Sequence, residues 1–166
     1  ENKDQPFFLQ VAFNAVHNFT FQLPEAYLKE WNLPYYSDYE ELDGSVKESD
    51  WYDESIIPNL PHGRDYYRAQ LYYLDKEIGA IRTKLKSLGL DENTIIVYTS
   101  DNGGSNCSGG DNTPLKSTKY SLYEGGIRVP MMIYWKNILE GNTINDEIVS
   151  TLDLMPTMLA ASNANQ

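Results

Sequence analysis

One long amphipathic segment, from Asp65 to Leu88, constrains the fold of this chain more than any other feature. Its apolar side chains recur every three or four residues, which predicts one apolar face of a long helix. They are Tyr67, Leu71, Leu74, Ile78, Ile81, Leu85 and Leu88. Gly89 stands where a helix C-cap glycine belongs. The β-branched run from Thr94 to Thr99 then predicts a strand.

Three further segments have the composition of strands or extended chain: residues 7–13, 129–135 and 148–152. The first is nearly all apolar and rich in Phe, which suits a strand that is covered on both faces. Strands of this kind alternating with helices predict an α/β fold, with a mainly parallel sheet flanked by helices.

Two shorter helices and one long loop complete the prediction. Residues 24–31 form a short helix with Pro in its first turn, and Asp153 caps a last helix through about Ala161. Residues 32–63 hold scattered Pro, acidic and aromatic residues without a sustained period. They predict a long acidic, aromatic-rich loop region, either a surface insertion over the core or part of a substrate pocket.

The composition excludes several classes of function. Thirteen Lys and Arg against 24 Asp and Glu give a formal net charge of −11, which argues against a nucleic-acid partner. No apolar run reaches about 18 residues, so the sequence contains no candidate membrane-spanning helix. A single cysteine, Cys107, excludes a disulfide framework within the chain and a Cys-rich zinc site.

Polar residues that can do chemistry follow two of the predicted strands, and ligands of α/β sheets bind beyond such strand ends. Asp101 and Asn102 follow one strand and offer the oxygen ligands that Ca²⁺ or Mg²⁺ prefers. Two ligands do not hold a divalent ion, so further carboxylates would be needed; the alternative is an ordinary solvated turn. His17 follows the other strand and can act as a general acid, general base or anion donor.

Lys119 lies beside a Gly-rich stretch, where a lysine can hold a phosphate or sulfate oxygen as a point charge. Lys116 and Arg128 make the same region locally cationic within an acidic chain. A merely solvated side chain is the alternative for Lys119, as it is for His17. His62 has no partner suggested by its spacing.

Taken together, these segments resemble the sulfatase family of the alkaline-phosphatase-like superfamily, from Pro6 to Thr157. The stretch at residues 91–104, which ends in Ser-Asp-Asn-Gly-Gly, is the most specific part of the resemblance. Lys119 followed by Tyr-Glu-Gly-Gly-Ile-Arg-Val-Pro at residues 123–130 is nearly as specific.

The resemblance implies roles for four residues. Asp101 and Asn102 would be two ligands of a divalent ion, usually calcium in this family. Lys119 would contact the sulfate ester and help neutralise the leaving oxygen. His17 would hydrogen-bond the sulfate and protonate the leaving group.

The sequence also departs from the family pattern. Sulfatases use a formylglycine nucleophile made from the first residue of a Cys/Ser-x-Pro-x-Arg signature, and this sequence contains none. Cys107 lacks both the Pro and the Arg and is rejected as the nucleophile. The family's N-terminal Asp-Asp metal pair and its smaller C-terminal subdomain are also missing. Residues 1–166 are therefore interpreted as the C-terminal half of a sulfatase catalytic domain.

Three functions remain open on these grounds. The first is a fragment of a sulfuric ester hydrolase, whose missing N-terminal half supplies the formylglycine and which acts on a sulfated small molecule or carbohydrate. The second is a phosphodiesterase, phosphonate hydrolase or phosphotransferase on the same scaffold. The third is a non-catalytic fragment without activity of its own. The resemblance implies a periplasmic, secreted or lysosomal location.

Overall fold

The computed structural model describes residues 4–17, 20–36 and 62–163. These residues contain four α-helices: α1 (Glu25–Glu30), α2 (Gly63–Ser87), α3 (Glu124–Ile127) and α4 (Leu154–Ala161). They contain two strands: β1 (Ile95–Thr99) and β2 (Met131–Trp135). Single 3-10 turns lie at Asp91–Asn93, Asn106–Ser108 and Thr151–Asp153. Among the described helices, none combines the length and the apolar character that a membrane span requires.

Helix α2 confirms the strongest prediction from the sequence. It begins at Gly63 and ends at Ser87, each close to the predicted limit. Gly89 adopts a left-handed φ of 71°, as a glycine after a helix C-cap does. The Leu90 N–H donates to the Leu85 carbonyl at 3.0 Å, which closes the last turn of the helix.

The most buried face of α2 is not the predicted one. Tyr66, Ala69, Gln70 and Tyr73 are buried, and Tyr66 packs in a core cluster with Phe21 and Leu28. Of the predicted apolar face, Leu74 is buried, while Leu71 and Leu88 are 46% and 41% exposed. The other four residues of that face, Tyr67, Ile78, Ile81 and Leu85, are half-buried, so the predicted face is partly covered. The periodicity missed the buried tyrosines Tyr66 and Tyr73, which contact residues 20–36.

Tyrosine suits this interface because its ring is apolar and its hydroxyl can pair with a buried acceptor. The Tyr66 hydroxyl donates to the Pro34 carbonyl at 2.6 Å. The Tyr73 hydroxyl donates to the Glu30 carboxylate at 2.6 Å, and the Tyr73 ring stacks on Tyr27 with 3.8 Å between centroids. Burial, followed by the hydrogen bond to Glu30, raises the pKa of Tyr73 to about 12.

The two described strands pair antiparallel, with Ile95 opposite Trp135 and Thr99 opposite Met131. This pairing departs from the mainly parallel sheet expected from the sequence. A parallel pair needs a crossover, usually a helix of several turns. The connection between β1 and β2 contains no such helix, because α3 has only four residues. The chain leaves β1 and enters β2 at the same end of the two-stranded sheet.

Residues 7–13 do not form the predicted strand. The chain is irregular there, and Phe8 and Leu9 are 86% and 65% exposed. Apolar composition favours a strand, but a strand also needs ladder partners, and no described segment pairs with these residues. Most of the predicted 32–63 loop region, residues 37–61, lies outside the described residues.

The last helix begins slightly differently from the prediction. Residues 148–150 are irregular and exposed. Asp153 is the N-cap residue of α4, as predicted, but its side chain makes no cap hydrogen bond to α4, and a 3-10 turn capped by Ser150 precedes it. The Ser150 hydroxyl accepts a hydrogen bond from the Leu152 N–H, and the Asp153 carboxylate accepts one from the Ser150 N–H. This reciprocal pair is a capping box, so Asp153 serves the cap as its second partner.

Charged residues join the two strands at the end away from the predicted site. The Lys136 ammonium donates to the Asp91 carboxylate at 3.2 Å and to Glu92, and Asn137 donates to Glu92 at 2.7 Å. The hydrogen bonds from Lys136 and then from Asn137 lower the pKa of Glu92. The same contacts, first with Glu92 and then with Asp91, raise the pKa of Lys136.

A pair of leucine substitutions tests which residues form the core. Leu28 is fully buried, so Leu28→Ala should lower the free energy of unfolding by about 2–5 kcal/mol. Leu71→Ala, on the predicted but exposed position of α2, should cost about 1 kcal/mol or less. Urea unfolding followed by circular dichroism measures both. If both variants lost the same free energy of unfolding, Leu71 would have to be a core residue, and the described packing would be contradicted.

The Lys136 contacts should make stability depend on pH. The pKa of folded Glu92 lies below its ordinary value of 4.5, so its stabilisation is present above that value and is lost as pH falls through the lowered pKa. Lys136→Met should therefore destabilise the protein at neutral pH and have a smaller effect in acid. The urea midpoints of the wild type and of Lys136→Met, measured from neutral pH down to below the pKa of Glu92, give the difference. Lys86→Met, at an exposed position in α2, is the control and should not change the pH dependence.

Candidate active site

Two of the predicted site residues meet in the structure although they are 102 positions apart. The Nζ of Lys119 lies 3.2 Å from the Nε2 of His17. Since an ammonium only donates, this contact needs an unprotonated Nε2 as the acceptor. His17 is exposed and Lys119 half-buried, so both can be reached by a ligand. The structure thus brings together two residues that the sequence suggested separately, with the positive charge on Lys119.

Glycines explain how the segment after β1 reaches the turn that carries Lys119. The Gly103 N–H donates to the Gly126 carbonyl at 2.9 Å, and a Cβ at Gly103 would overlap the Gly125 carbonyl oxygen. A Cβ at Gly125 would overlap the Ser117 carbonyl, and one at Gly126 the Ser121 carbonyl. Only residues without a side chain permit these backbone contacts.

Asn112 fixes the same junction from the side. Its Oδ1 accepts from the Gly104 N–H at 2.9 Å, and its Nδ2 donates to the Gly104 carbonyl at 2.8 Å. That carbonyl also accepts from the backbone N–H of Lys119 at 3.1 Å. Asn112 was not among the residues predicted for the site. The one feature of the sequence that could have indicated it is an amide side chain within a Gly-rich loop.

The loop that contains Asn112 is anchored to helix α2. Arg64, in the first turn of α2, donates to the Gly109 carbonyl at 2.8 Å. The Asp111 carboxylate accepts from both the hydroxyl and the N–H of Thr113, and these bonds lower the pKa of Asp111. Cys107, rejected as a nucleophile, lies in the 3-10 turn of this loop.

Asp101 and Asn102, the predicted metal ligands, follow Ser100, the first residue after β1. Asp101 is exposed and Asn102 is half-buried. Their carboxylate and amide oxygens match the ligands that Ca²⁺ accepts. Within residues 4–17, 20–36 and 62–163, no group of three or more His, Cys, Asp or Glu could hold a metal ion. The pair therefore fits calcium by chemistry and is too small to bind it alone.

The other cations of this region have aromatic or acidic partners. The Nζ of Lys116 lies 3.8 Å from the centroid of the Tyr123 ring. A guanidinium nitrogen of Arg128 lies 3.4 Å from the carboxylate of Glu124, one helical turn earlier. The Lys119 ammonium also has an aromatic neighbour, with the Tyr120 ring centroid at 5.4 Å, and it differs from these two in contacting a histidine.

Comparisons with known proteins agree with the resemblance. The family model for sulfatases matches residues 1–164. The chain is 33% identical to arylsulfatase J of Mus musculus, over 94% of the chain and 22% of that protein. It is 29% identical to an endo-4-O-sulfatase of Bacteroides thetaiotaomicron, over 93% of the chain and 28% of that protein.

A solved structure, Ps i-CgsB in complex with k-i-k-neocarrahexaose, has a TM-score of 0.62 and 35% sequence identity. The match covers 81% of this chain and 29% of that one. The chain thus has the fold of the matching part of that structure. It spans less than a third of the length of these relatives.

A pair of glycine substitutions tests the close backbone contact. Gly103→Ala should destabilise the protein by about 1–3 kcal/mol and displace Lys119 from His17, because the added methyl overlaps the Gly125 carbonyl. Gly79→Ala, within α2 at a position where an added Cβ would meet no neighbouring atom, should instead stabilise it by about 0.5–1 kcal/mol. Urea unfolding and amide chemical shifts near Lys119 report the two effects. A harmless Gly103→Ala would disprove the contact.

Proposed function

Because the chain belongs to the sulfatase family, we propose that it is part of a sulfate-ester hydrolase in which Lys119 and His17 contact the ester. The observation that carries the proposal is the 3.2 Å contact between their side-chain nitrogens. The chain as a whole has a net charge of −11, so binding an anionic ester requires a locally cationic group of this kind.

The geometry of the pair suits the charge that develops during cleavage of the ester. When the sulfur–oxygen bond breaks, negative charge grows on the leaving oxygen. One oxygen can lie within hydrogen-bond distance of two nitrogens that are 3.2 Å apart. Lys119 supplies a fixed positive charge with three N–H donors. When the ester binds, the leaving oxygen would replace the His17 Nε2 as the acceptor of the Lys119 N–H, and His17 would then donate to it from an Nε2–H.

The remaining parts of the site would come from elsewhere in the enzyme. Asp101 and Asn102 would hold calcium together with further carboxylates, and bound calcium would polarise the sulfate. The formylglycine nucleophile would also be supplied outside this chain. The chain alone should therefore neither hydrolyse an aryl sulfate nor bind calcium tightly.

The relatives support sulfated carbohydrate as the proposed substrate class, with a sulfated small molecule as the alternative. One relative is an endo-4-O-sulfatase, and the solved structure of Ps i-CgsB contains neocarrahexaose. Arylsulfatase J represents the alternative.

Kinetics of the complete enzyme test the proposal. Lys119→Ala and His17→Ala should each lower kcat/KM for 4-nitrophenyl sulfate by about 10²-fold or more, because each removes a donor to the reacting group. Lys116→Ala removes a lysine only three positions away that stacks on Tyr123, and it is the matched control. Its kcat/KM should stay within about threefold of the wild-type value.

Two results would overturn the proposal. One is full sulfatase activity in Lys119→Ala or His17→Ala. The other is a wild-type enzyme that cleaves bis(4-nitrophenyl) phosphate and releases no sulfate from a sulfate ester, since that would identify a phosphodiesterase on the same scaffold. Turnover of an aryl sulfate by residues 1–166 alone would refute only the expectation that this chain is inactive by itself.

A further inference from the structure

Tyr120, the residue after Lys119, combines high exposure with a left-handed backbone. Its side chain is 94% exposed, so it gains almost nothing from packing. Its backbone has a φ of 73°, in the left-handed region that disfavours residues with a Cβ and favours glycine. A large aromatic residue thus occupies a strained position, and the contact described for its ring is with the Lys119 ammonium. Such strain is typical of residues that serve a ligand.

The position of the Tyr120 ring connects it to the proposed ester site. The Nζ of Lys119 lies 5.4 Å from the centroid of the Tyr120 ring and 3.2 Å from the Nε2 of His17. The Lys119 ammonium lies over one face of the ring, and the 94% exposure of Tyr120 leaves the rest of the ring open beside Lys119 and His17. Tyr123 differs, because its ring already has the Lys116 ammonium at 3.8 Å.

We propose that the Tyr120 ring stacks on a sugar ring of the substrate while Lys119 holds the sulfate of that sugar. The apolar C–H face of a pyranose suits an aromatic face, and the sulfate anion suits the adjacent ammonium. Tyr120 is then a specificity-determining residue that selects sulfated carbohydrate over a bare anion. The inference rests on the proposed function of Lys119 and His17.

Kinetics of the complete enzyme on k-i-k-neocarrahexaose, the hexasaccharide in the Ps i-CgsB structure, test the stacking. Tyr120→Ser should raise KM by about three- to tenfold and leave kcat unchanged, because a ring contact is lost and the reacting groups are kept. Inhibition by inorganic sulfate, which has no ring, should not change. Tyr120→Phe should keep the wild-type KM, since the stacking face remains.

Tyr120→Gly separates binding from structure. Glycine accepts a φ of 73°, so this variant should have an unchanged or higher Tm and still show the raised KM. A residue with a purely structural role would lose stability together with binding. Tyr72→Ser removes another exposed tyrosine, which lies on α2 and packs against Trp31 at the end of α1. This control should leave KM unchanged.

The inference is overturned if Tyr120→Ser and Tyr120→Gly keep the wild-type KM, or if inhibition by inorganic sulfate weakens as much as KM rises. Failure of the proposed function appears separately, as a wild-type enzyme that releases no sulfate. In that case the Kd of the hexasaccharide, measured by calorimetry, replaces KM, and an unchanged Kd in Tyr120→Ser counts against stacking.

Discussion

The approach of Gly103 to Gly125 and Gly126 determines where the candidate site residues lie. The contact joins backbone to backbone, with the Gly103 N–H bonded to the Gly126 carbonyl and no room for a Cβ at any of the three positions. It holds the segment with Asp101 and Asn102 against the turn that carries Lys119. Asn112 reinforces it by bonding both the N–H and the carbonyl of Gly104. The segments that carry Asp101, Asn102 and Lys119 contain little regular secondary structure, and these main-chain contacts fix their positions.

The antiparallel pairing of β1 and β2 makes that contact possible. The residue after β1 lies beside the residue before β2, and the Ser100 N–H faces the Pro130 carbonyl at 3.4 Å. In the expected parallel arrangement, the carboxyl end of β1 would have neighboured the carboxyl end of the next strand. The Gly125–Gly126 segment precedes β2, so it would then have been at the opposite edge. The polar residues after β1 stay a predicted site, and the topology that places them beside the Lys119 turn is antiparallel rather than parallel.

Local patterns in the sequence predicted what depends on local interactions. Helix α2, its glycine after the C-cap, and strands β1 and β2 follow from periodicity and residue preference within each segment. The buried face of α2 did not, because Tyr66 and Tyr73 are buried by contacts with Pro34 and Glu30 that no periodicity reveals. Residues 7–13 show the same limit: their composition favours a strand, and pairing depends on partners elsewhere. The distance between Lys119 and His17 is likewise a property of the chain path.

The ladder between β1 and β2 also sets the alignment of the site. Each residue along a strand advances about 3.3 Å, so a slip of two residues would move Gly126 by about 6.6 Å relative to Gly103. A slip of one residue would move Gly126 by half that distance and would turn every side chain of β2 to the opposite face of the sheet. Either slip would separate the Asp101 segment from Lys119 while leaving both strands intact. The register that pairs Thr99 with Met131 therefore determines that the Asp101 segment and the Lys119 turn lie side by side.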